Sequence, residues 1–353
     1  MIKKIISYFI FVTGLLFFTC CETDIKSTNE DNNTSPDSID VFKQNELLGR
    51  GINLGNALEA PDEGDWGVTL EAGYFSTIKE VGFNSVRIPI RWSAHSTEEP
   101  PYQIDTGFFS RIDWAINLAL SNDLAVIINI HHFQEIMIEP EQNLEKFLAL
   151  WLQIGNHYKN YSSNLFFEVL NEPNENLTPE LWNEYLLQGI NTIRQSNPKR
   201  TIVVGTANWG GLSGLGQLVL PANDENIIVT FHYYEPFHFT HQGAEWVDGS
   251  DEWMGTGWSA TNEQKIDVIN DFQSAANWAQ ENNRPLHMGE FGAYNKADHD
   301  SRVLWTTYVT RKAEELGFSW AYWEFCAGFG AYNSDLGQWN TDLLNALIPV
   351  SGN

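Results

Sequence analysis

Two glutamates lie at the ends of apolar segments, where they could support acid–base or nucleophilic chemistry. Glu172 follows the run LFFEVL (165–170), and Glu290 lies in PLHMGEF (285–291). A pair of facing carboxyl groups can hydrolyse a glycosidic bond, because one protonates the departing oxygen while the other attacks the anomeric carbon. At a separation of about 5 Å such a pair acts with retention, through a covalent glycosyl-enzyme.

Further polar and aromatic side chains lie at or near the ends of the other apolar segments. They are Asn56, Arg87, His131, His132, Asn171, His232, Tyr233, Tyr234, Trp323 and Glu324. Most of these side chains are neutral hydrogen-bonding or aromatic groups. Around two carboxylates, such groups suit glycoside hydrolysis.

Eight short apolar segments must position these side chains. They span 52–56, 85–90, 125–130, 165–170, 201–205, 227–233, 285–291 and 318–325. Apolar runs without strict alternation are typical of strands buried on both faces of a parallel sheet. Amphipathic segments between them predict helices over 74–81, 108–120, 144–158, 179–195, 263–281 and 301–316.

This alternation of strands and helices predicts an α/β protein with a single (β/α)8 TIM barrel. In such barrels the active site lies at the carboxyl ends of the strands, where the polar side chains are found. An open, doubly wound sheet is the competing architecture. No glycine-rich phosphate loop follows the first strand, which favours the barrel.

Seven segments, in order, resemble glycoside hydrolase family 5, the large cellulase family. They are GINLGN, GFNSVRIPIRW, INIHHF, FFEVLNEP, TFHYYEPF, MGEFGAY and WAYWEF, and the resemblance covers nearly all of 50–348. LGNALEAPDEGDWG and FTHQGAEW are similar to a branch with thermostable endoglucanases that also cleave β-mannans. The resemblance implies a retaining endo-β-1,4-glycanase that hydrolyses internal bonds of β-glucan or cellulose. It also implies β-mannan or glucomannan as a second substrate.

The resemblance also implies roles for residues around the sugar whose bond is cut. Glu172 matches the general acid/base, and Glu290 matches the nucleophile. Arg87 and Tyr234 match residues that support the nucleophile, the first by charge and the second by a hydrogen bond. Asn171 matches the residue that binds the sugar 2-OH, a contact that strengthens in the transition state.

Other matched positions would line the remainder of the cleft. His131 and His232 match its polar wall, and Trp323 matches the aromatic floor beneath the −1 sugar. An aromatic ring suits the C–H face of a pyranose through dispersion and apolar contact. In the branch-specific segments, the residues that would bind glycone sugars beyond that ring are Asn56, Glu59, His132, His241 and Trp246.

A zinc centre is the alternative chemistry. Its ligands would come from five histidines, His131, His132, His232, His238 and His241. Some barrel hydrolases use such clusters. Adjacent strand residues point to opposite faces, however, and no His-x-His pair occurs on the first strand. We therefore expect neither a metal nor another cofactor.

The charge of the chain excludes several classes of partner. It has 46 Asp and Glu against 20 Lys and Arg, a formal net charge of −26. Phosphates attract Lys and Arg, so neither nucleic acid nor electrostatic docking on anionic lipid is expected. The charge leaves a neutral or a cationic ligand, and the resemblance implies a neutral β-linked polysaccharide or oligosaccharide, bound by a monomer. The competing function is a non-catalytic, glycan-binding surface lipoprotein, although the two intact glutamates favour catalysis.

The N-terminus has the layout of an export signal. Lys3 and Lys4 precede an apolar run over 5–18, which is shorter than the roughly 20 residues that span a bilayer. Cys20 and Cys21 follow, an arrangement that resembles the lipobox of bacterial lipoproteins. The alternative is an ordinary cleaved signal with two incidental cysteines.

From this layout we predict a lipoprotein-type signal peptide over 1–21 and a disordered polar tether over 22–41. The catalytic barrel would then occupy 42–353. The protein would act outside the cytoplasm, either secreted or lipid-anchored at the envelope of a bacterium, with its only membrane contact through that anchor.

Overall fold

The computed structural model describes residues 39–349 and shows a closed barrel of eight parallel strands. The strands pair in sequence order, and β1 closes on β8. They are β1 (Arg50–Asn53), β2 (Ser85–Ile88), β3 (Ala125–Asn129), β4 (Leu165–Glu168), β5 (Ile202–Gly205), β6 (Ile227–Tyr233), β7 (Leu286–Phe291) and β8 (Ser319–Tyr322). The predicted fold class is confirmed, and each strand end lies within three residues of its predicted place.

Helices occupy most of the connections. They are α1 (Val41–Leu48), α2 (Ala72–Glu80), α3 (Thr106–Ser121), α4 (Gln134–Ile138), α5 (Pro140–Tyr158), α6 (Pro179–Arg194), α7 (Phe237–Thr240), α8 (Asn262–Asn282), α9 (His299–Glu315) and α10 (Thr341–Leu347). The sequence predicted α2, α3, α5, α6, α8 and α9. It did not predict α1, the short helices α4, α7 and α10, or the small antiparallel pair β9 (Tyr332–Asn333) and β10 (Gln338–Trp339).

Three connections contain 3₁₀-helices, over Trp92–His95, Leu212–Gln217 and Ser250–Trp253. The segment Leu212–Gln217 stands where a regular barrel would place an α-helix after β5. Glycines at 210, 211, 214 and 216 explain this difference, because glycine disfavours the α-helix by about 1 kcal/mol relative to alanine.

Local capping explains where several helices begin. The side chain of Asp105 accepts a backbone N–H in the first turn of α3. Thr178 does the same for α6, whose first residue is Pro179. Thr261 and Gln264 form a reciprocal capping box at α8.

Alternate residues along each strand face the barrel interior or the surrounding helices. In β4, Phe166 belongs to the interior apolar cluster, whereas Phe167 packs in the larger cluster beneath the helices. Val41 and Leu48 of α1 belong to the interior cluster, so α1 covers the end of the barrel at which this cluster lies. Towards the carboxyl ends of the strands the interior becomes polar, with Asn53, Arg87, Asn129 and Glu168 all buried.

The predicted signal peptide (1–21) lies outside the described residues, as does the predicted tether (22–41) apart from its last three residues. Helix α1 begins at Val41 and is capped by Asp40, whose side chain accepts the N–H of Phe42 at 3.0 Å. No helix between residues 39 and 349 is both long and apolar enough to cross a membrane.

Candidate active site

Glu290 lies in β7, close to its carboxyl end, and its carboxylate is buried. Oε1 accepts a hydrogen bond from Nη1 of Arg87 at 2.7 Å, and Oε2 accepts one from the Tyr234 hydroxyl at 3.0 Å. Burial raises the pKa of Glu290 and outweighs the opposing charges of His232 and Arg87. Both oxygens are thus held in place while the carboxylate keeps its basicity.

Arg87, in β2, is fully buried and connects several strands. Nε and Nη2 donate to the two oxygens of Glu168 at 2.5 and 2.7 Å. Nη1 also donates to Oδ1 of Asn53 at 2.8 Å, and Nη2 also donates to Oδ1 of Asn171 at 2.7 Å. With the bond to Glu290, all five N–H groups of the guanidinium have acceptors.

Glu172 lies in the turn that follows β4 and adopts a left-handed backbone conformation, with φ of 43°. Its Oε1 lies 2.6 Å from Nδ1 of His232, and that ring nitrogen lies 3.6 Å from Oε2 of Glu290. One oxygen of each glutamate and the ring nitrogen all lie within 4.8 Å of one another. Burial lowers the pKa of His232, but the two glutamates outweigh it and the net shift is upward.

Three other histidines in the site are kept neutral by burial. Burial lowers the pKa of His131 well below its usual value, and it lowers that of His132 and of His241 to about 4. A neutral imidazole can both donate and accept a hydrogen bond, as sugar hydroxyls require. The His131 ring also stacks at 6.0 Å on the indole of Trp323.

Two glycines allow Trp323 to approach the strands that carry the site. A Cβ at position 292 would lie 2.1 Å from the carbonyl oxygen of Trp323, and a Cβ at position 55 would lie 2.9 Å from its indole. Both distances are below van der Waals contact, so a side chain at Gly55 would displace the indole and one at Gly292 would displace the backbone of Trp323. The absence of side chains at these two positions therefore allows Trp323 to take its place in the lining of the cleft.

The residues predicted from the sequence come together at the carboxyl ends of the strands. A cavity of about 630 Å³ is lined by Asn56, Glu59, His131, His132, Glu172, Tyr234, His241, Trp246, Glu290 and Trp323. The remaining three, Arg87, Asn171 and His232, join the same group through the hydrogen bonds described above. All thirteen residues thus form one site.

A second cavity of about 870 Å³ adjoins the first. The two cavities share five lining residues, His132, Glu172, Tyr234, His241 and Trp246. The cleft therefore extends beyond the glutamate pair into the second cavity.

Trp209 lines the second cavity and was not predicted from the sequence. It is 58% exposed, and its φ of 60° is unusual for a bulky residue. Asn208 before it and Gly210 after it also have positive φ, so the whole turn after β5 is constrained. Residues held in such sparsely populated backbone conformations cluster at functional sites, and here the conformation exposes a large indole in the cleft.

The sequence predicted no role for three side chains in or below the first cavity. They are Trp66, Glu168 and Glu324. Glu168 had a usable signal, since it is a charged residue within an otherwise apolar strand. Trp66 lies in the segment GDWG, between glycines 64 and 67, which both have positive φ, and its ring packs at 5.3 Å against His132.

Within the described residues, the five histidines of the zinc alternative do not form a group of metal ligands. Over residues 39–349, the one group with ligand atoms close enough for a metal is Glu172, His232 and Glu290. It includes one histidine of the five, and both glutamates already accept hydrogen bonds from protein side chains or lie at hydrogen-bonding distance from them.

A closed parallel barrel whose fourth and seventh strands present two facing carboxylates at the mouth defines the class of barrel glycoside hydrolases. The family model described as Cellulase (glycosyl hydrolase family 5) matches residues 46–328. The chain belongs to this family.

Solved structures of the family are similar along the whole barrel. Cel5A of Thermotoga maritima in complex with cellobiose is 54% identical, with a TM-score of 0.87, over 88% of this chain and 100% of that one. Its complex with mannotriose gives the same values.

Curated relatives include Endoglucanase H of Acetivibrio thermocellus, which is 36% identical over 328 residues. That match covers 91% of this chain and 35% of the relative. The Cellulase/esterase CelE of the same organism is covered over 36% of its length. The chain thus spans about a third of the length of these two relatives.

Proposed function

We propose that this protein is a retaining endo-β-1,4-glycanase. The observation that carries the proposal is the approach of Glu172 and Glu290, one oxygen of each lying within 4.8 Å of the other. Retaining glycosidases hold their two carboxyl groups about 5–5.5 Å apart, whereas inverting ones need about 6.5–9.5 Å to admit a water molecule. The short separation leaves no room for that water and favours double displacement.

In this mechanism Glu290 attacks the anomeric carbon while Glu172 donates a proton to the departing glycosidic oxygen. The C–O bond breaks, the leaving chain departs with that proton, and Glu290 becomes covalently linked to the sugar. Glu172, now a carboxylate, then removes a proton from water, which attacks the same carbon and releases Glu290. The configuration is inverted twice, so it is retained.

The neighbours of the two glutamates support these steps. Arg87 and Tyr234 orient Glu290 through one oxygen each. His232 orients Glu172 from behind, since its side chain is 4% exposed and that of Glu172 is 25% exposed. Oδ1 of Asn171 is held by Arg87, which leaves the amide nitrogen to donate to the sugar 2-OH.

The cleft suits a polymer of neutral sugars that is cut internally. Its first cavity would bind the glycone part of the chain through Asn56, Glu59, His132, His241 and Trp246, with Trp323 as the floor at the cleaved sugar. Its second cavity would bind the departing part, with the exposed indole of Trp209 as a stacking surface. Binding on both sides of the cleaved bond favours endo action.

We propose β-1,4-glucan as the first substrate and β-mannan or glucomannan as the second. Support comes from Thermotoga maritima Cel5A, whose structures contain either cellobiose or mannotriose. Glucose and mannose differ in the configuration at C2, so one cleft with neutral donors and acceptors can accommodate both. The reaction itself requires no cofactor in this mechanism.

A substrate panel on the purified protein tests this function. We expect release of reducing ends from carboxymethyl cellulose and glucomannan, with a rapid fall in viscosity that marks internal cleavage. NMR of the first product should show the β-anomer before mutarotation. If no β-glycan yields reducing ends while the protein still binds glycan, the non-catalytic surface lipoprotein is the correct function; an α-anomer would replace retention by inversion.

We further propose that the barrel works as a monomer outside the cytoplasm, attached through a lipidated cysteine near the N-terminus. Mass spectrometry of the protein from membranes of the producing bacterium should show a diacylglyceryl cysteine. Cys20→Ser and Cys21→Ser would identify which cysteine carries it. A water-soluble product cleaved at this point and lacking lipid would indicate an ordinary signal peptide, and light scattering would report the mass in solution.

A further inference from the structure

Glu168 is a buried carboxylate at the end of β4 that lines neither cavity of the cleft. It is 1% exposed, so it cannot contact a bound sugar. A charged carboxylate inside a protein is costly unless it is paired and hydrogen-bonded. Any effect on the reaction must therefore pass through the groups that it touches.

Its main partner is Arg87. The two oxygens of Glu168 accept from Nε and Nη2 at 2.5 and 2.7 Å, the bidentate geometry that fixes the plane of a guanidinium. With that plane fixed, the other three N–H groups point to Asn53, Asn171 and Glu290. The two that reach Asn171 and Glu290 thus depend on a carboxylate on the far side of Arg87.

Arg87 also contacts two carboxylates, Glu168 and Glu290, so its positive charge is divided between them. Burial opposes ionisation of Glu168, but the charge and hydrogen bonds of Arg87 outweigh it and lower its pKa. Glu168 therefore stays charged and takes part of the attraction of Arg87. If Arg87 paired with Glu290 alone, its positive charge would lower the basicity of the Glu290 carboxylate and hence its reactivity.

We propose that Glu168 is a positioning residue for the glycosidase reaction. Its carboxylate orients Arg87 towards Glu290 and Asn171 and shares the charge of Arg87, so that Glu290 is held without losing its reactivity. This inference rests on the proposed function, because it concerns how the nucleophile of that reaction is prepared.

The other charged and titratable groups around both carboxylates remain in place in the test variants. Glu290 is faced by Arg87, His232, Glu172 and Tyr234, and it also interacts electrostatically with Glu59, His132 and Glu324. Glu168 is faced by Arg87 and Asn129, and it interacts with His232 and His287. Differences between wild type and a Glu168 variant therefore report Glu168 itself.

The first variant is Glu168→Gln, assayed on an aryl β-cellobioside or, if this is not a substrate, on an aryl β-mannobioside. Gln can still accept one N–H of Arg87, so the main change is loss of the shared charge. We expect kcat to fall about 10- to 100-fold while KM stays within about twofold, because Glu168 does not touch the sugar. The acid limb of kcat/KM should move about 1 pH unit lower, since the full charge of Arg87 then favours ionised Glu290.

Two further variants separate positioning from general destabilisation. Glu168→Asp keeps the charge but shortens the side chain, so kcat should fall while the acid limb stays in place. Asp224→Asn breaks another bidentate arginine–carboxylate pair, that of Arg194, whose bonds are 2.7 and 2.9 Å long, and it should leave kcat and the acid limb unchanged. Rates are expressed per active site, titrated with a 2-deoxy-2-fluoro glycoside.

Wild-type kcat and pH profile in Glu168→Gln, or wild-type kcat in Glu168→Asp, would overturn the inference. An equal loss at every pH accompanied by a large rise in KM would also overturn it, because that pattern indicates a distorted cleft. If Glu168→Gln does not fold, kcat of Glu168→Asp decides the question. A wild-type enzyme that cleaves neither an aryl glycoside nor any β-glycan contradicts the proposed function instead, so the two failures are distinguishable.

Discussion

Nδ1 of His232 lies 2.6 Å from Oε1 of Glu172, which joins the end of β6 to the turn after β4. The proposed acid/base is therefore oriented by a residue from a different strand. Since Nδ1 also lies 3.6 Å from Oε2 of Glu290, the same imidazole lies beside both carboxylates of the proposed mechanism. The separation of the two glutamates is thus set by β4, β6 and β7 together.

Replacing the proposed nucleophile should abolish turnover. Glu290→Ala removes the group that forms the covalent intermediate, and we expect kcat to fall by about 10⁴-fold or more on every substrate. Added azide should restore part of the rate and yield the α-glycosyl azide, because it attacks from the face that Glu290 occupied. Wild-type-like activity in this variant would mean that another group is the nucleophile.

The acid/base residue should matter less when the leaving group needs no proton. Glu172→Ala should lower kcat/KM on polysaccharide by about 10²- to 10⁴-fold, while the first step on a dinitrophenyl glycoside stays close to wild type. Stopped-flow release of dinitrophenol measures that step. An equal loss on both substrates would show that Glu172 does not act as the acid.

The exposed indole of Trp209 should bind the departing part of the chain. Trp209→Ala should raise KM on polysaccharide about 3- to 10-fold, the loss expected for one stacking contact. Hydrolysis of cellobiosyl fluoride should be unaffected, because its leaving group is a single atom that does not reach Trp209. Weakened hydrolysis of the fluoride would instead indicate that the turn after β5 supports Glu172.

Glu59 should make the stability of the folded protein depend on pH. Burial raises its pKa to about 7, despite hydrogen bonds from backbone N–H groups that oppose the shift. An acid whose pKa is higher in the folded state stabilises the fold below its unfolded pKa, and this stability is lost as the pH rises through the folded pKa. The contribution should therefore disappear between about pH 4.5 and pH 7 and amount to about 3 kcal/mol.

Chemical denaturation at several pH values measures this contribution. The free energy of unfolding of wild type relative to Glu59→Gln should fall by about 3 kcal/mol over that interval. The control Asn45→Ala removes a buried amide that does not titrate, so its effect should be the same at every pH. A pH-independent difference between wild type and Glu59→Gln would contradict a raised pKa.

Chelation should leave catalysis intact. In the proposed mechanism Glu290 makes the nucleophilic attack and Glu172 transfers the proton, so no step requires a metal. We expect the rate after dialysis against EDTA to equal that of untreated enzyme. A loss of activity that zinc restores would revive the metal alternative.

Some features of this protein follow from its sequence alone. Parallel strands buried on both faces are largely apolar along their length, so all eight strands could be located before their pairing was known. A polar residue that ends such a run must lie at the mouth of the barrel, and this placed Glu172, Glu290 and Trp323 in one site. Helices of nine residues or more were also found, whereas the short α4 and α7 carry too few residues to show a period.

Other features depend on distances between residues that are remote in the chain, and only the tertiary structure decides them. Glu172 and His232 are 60 positions apart, and Arg87 and Glu290 are 203 apart. No local pattern specifies that Arg87 divides its bonds between Glu290 and Glu168, or that the turn at Trp209 opens into the same cleft. Closure of the barrel brings these side chains together, because strand pairing determines which residues face each other across its interior.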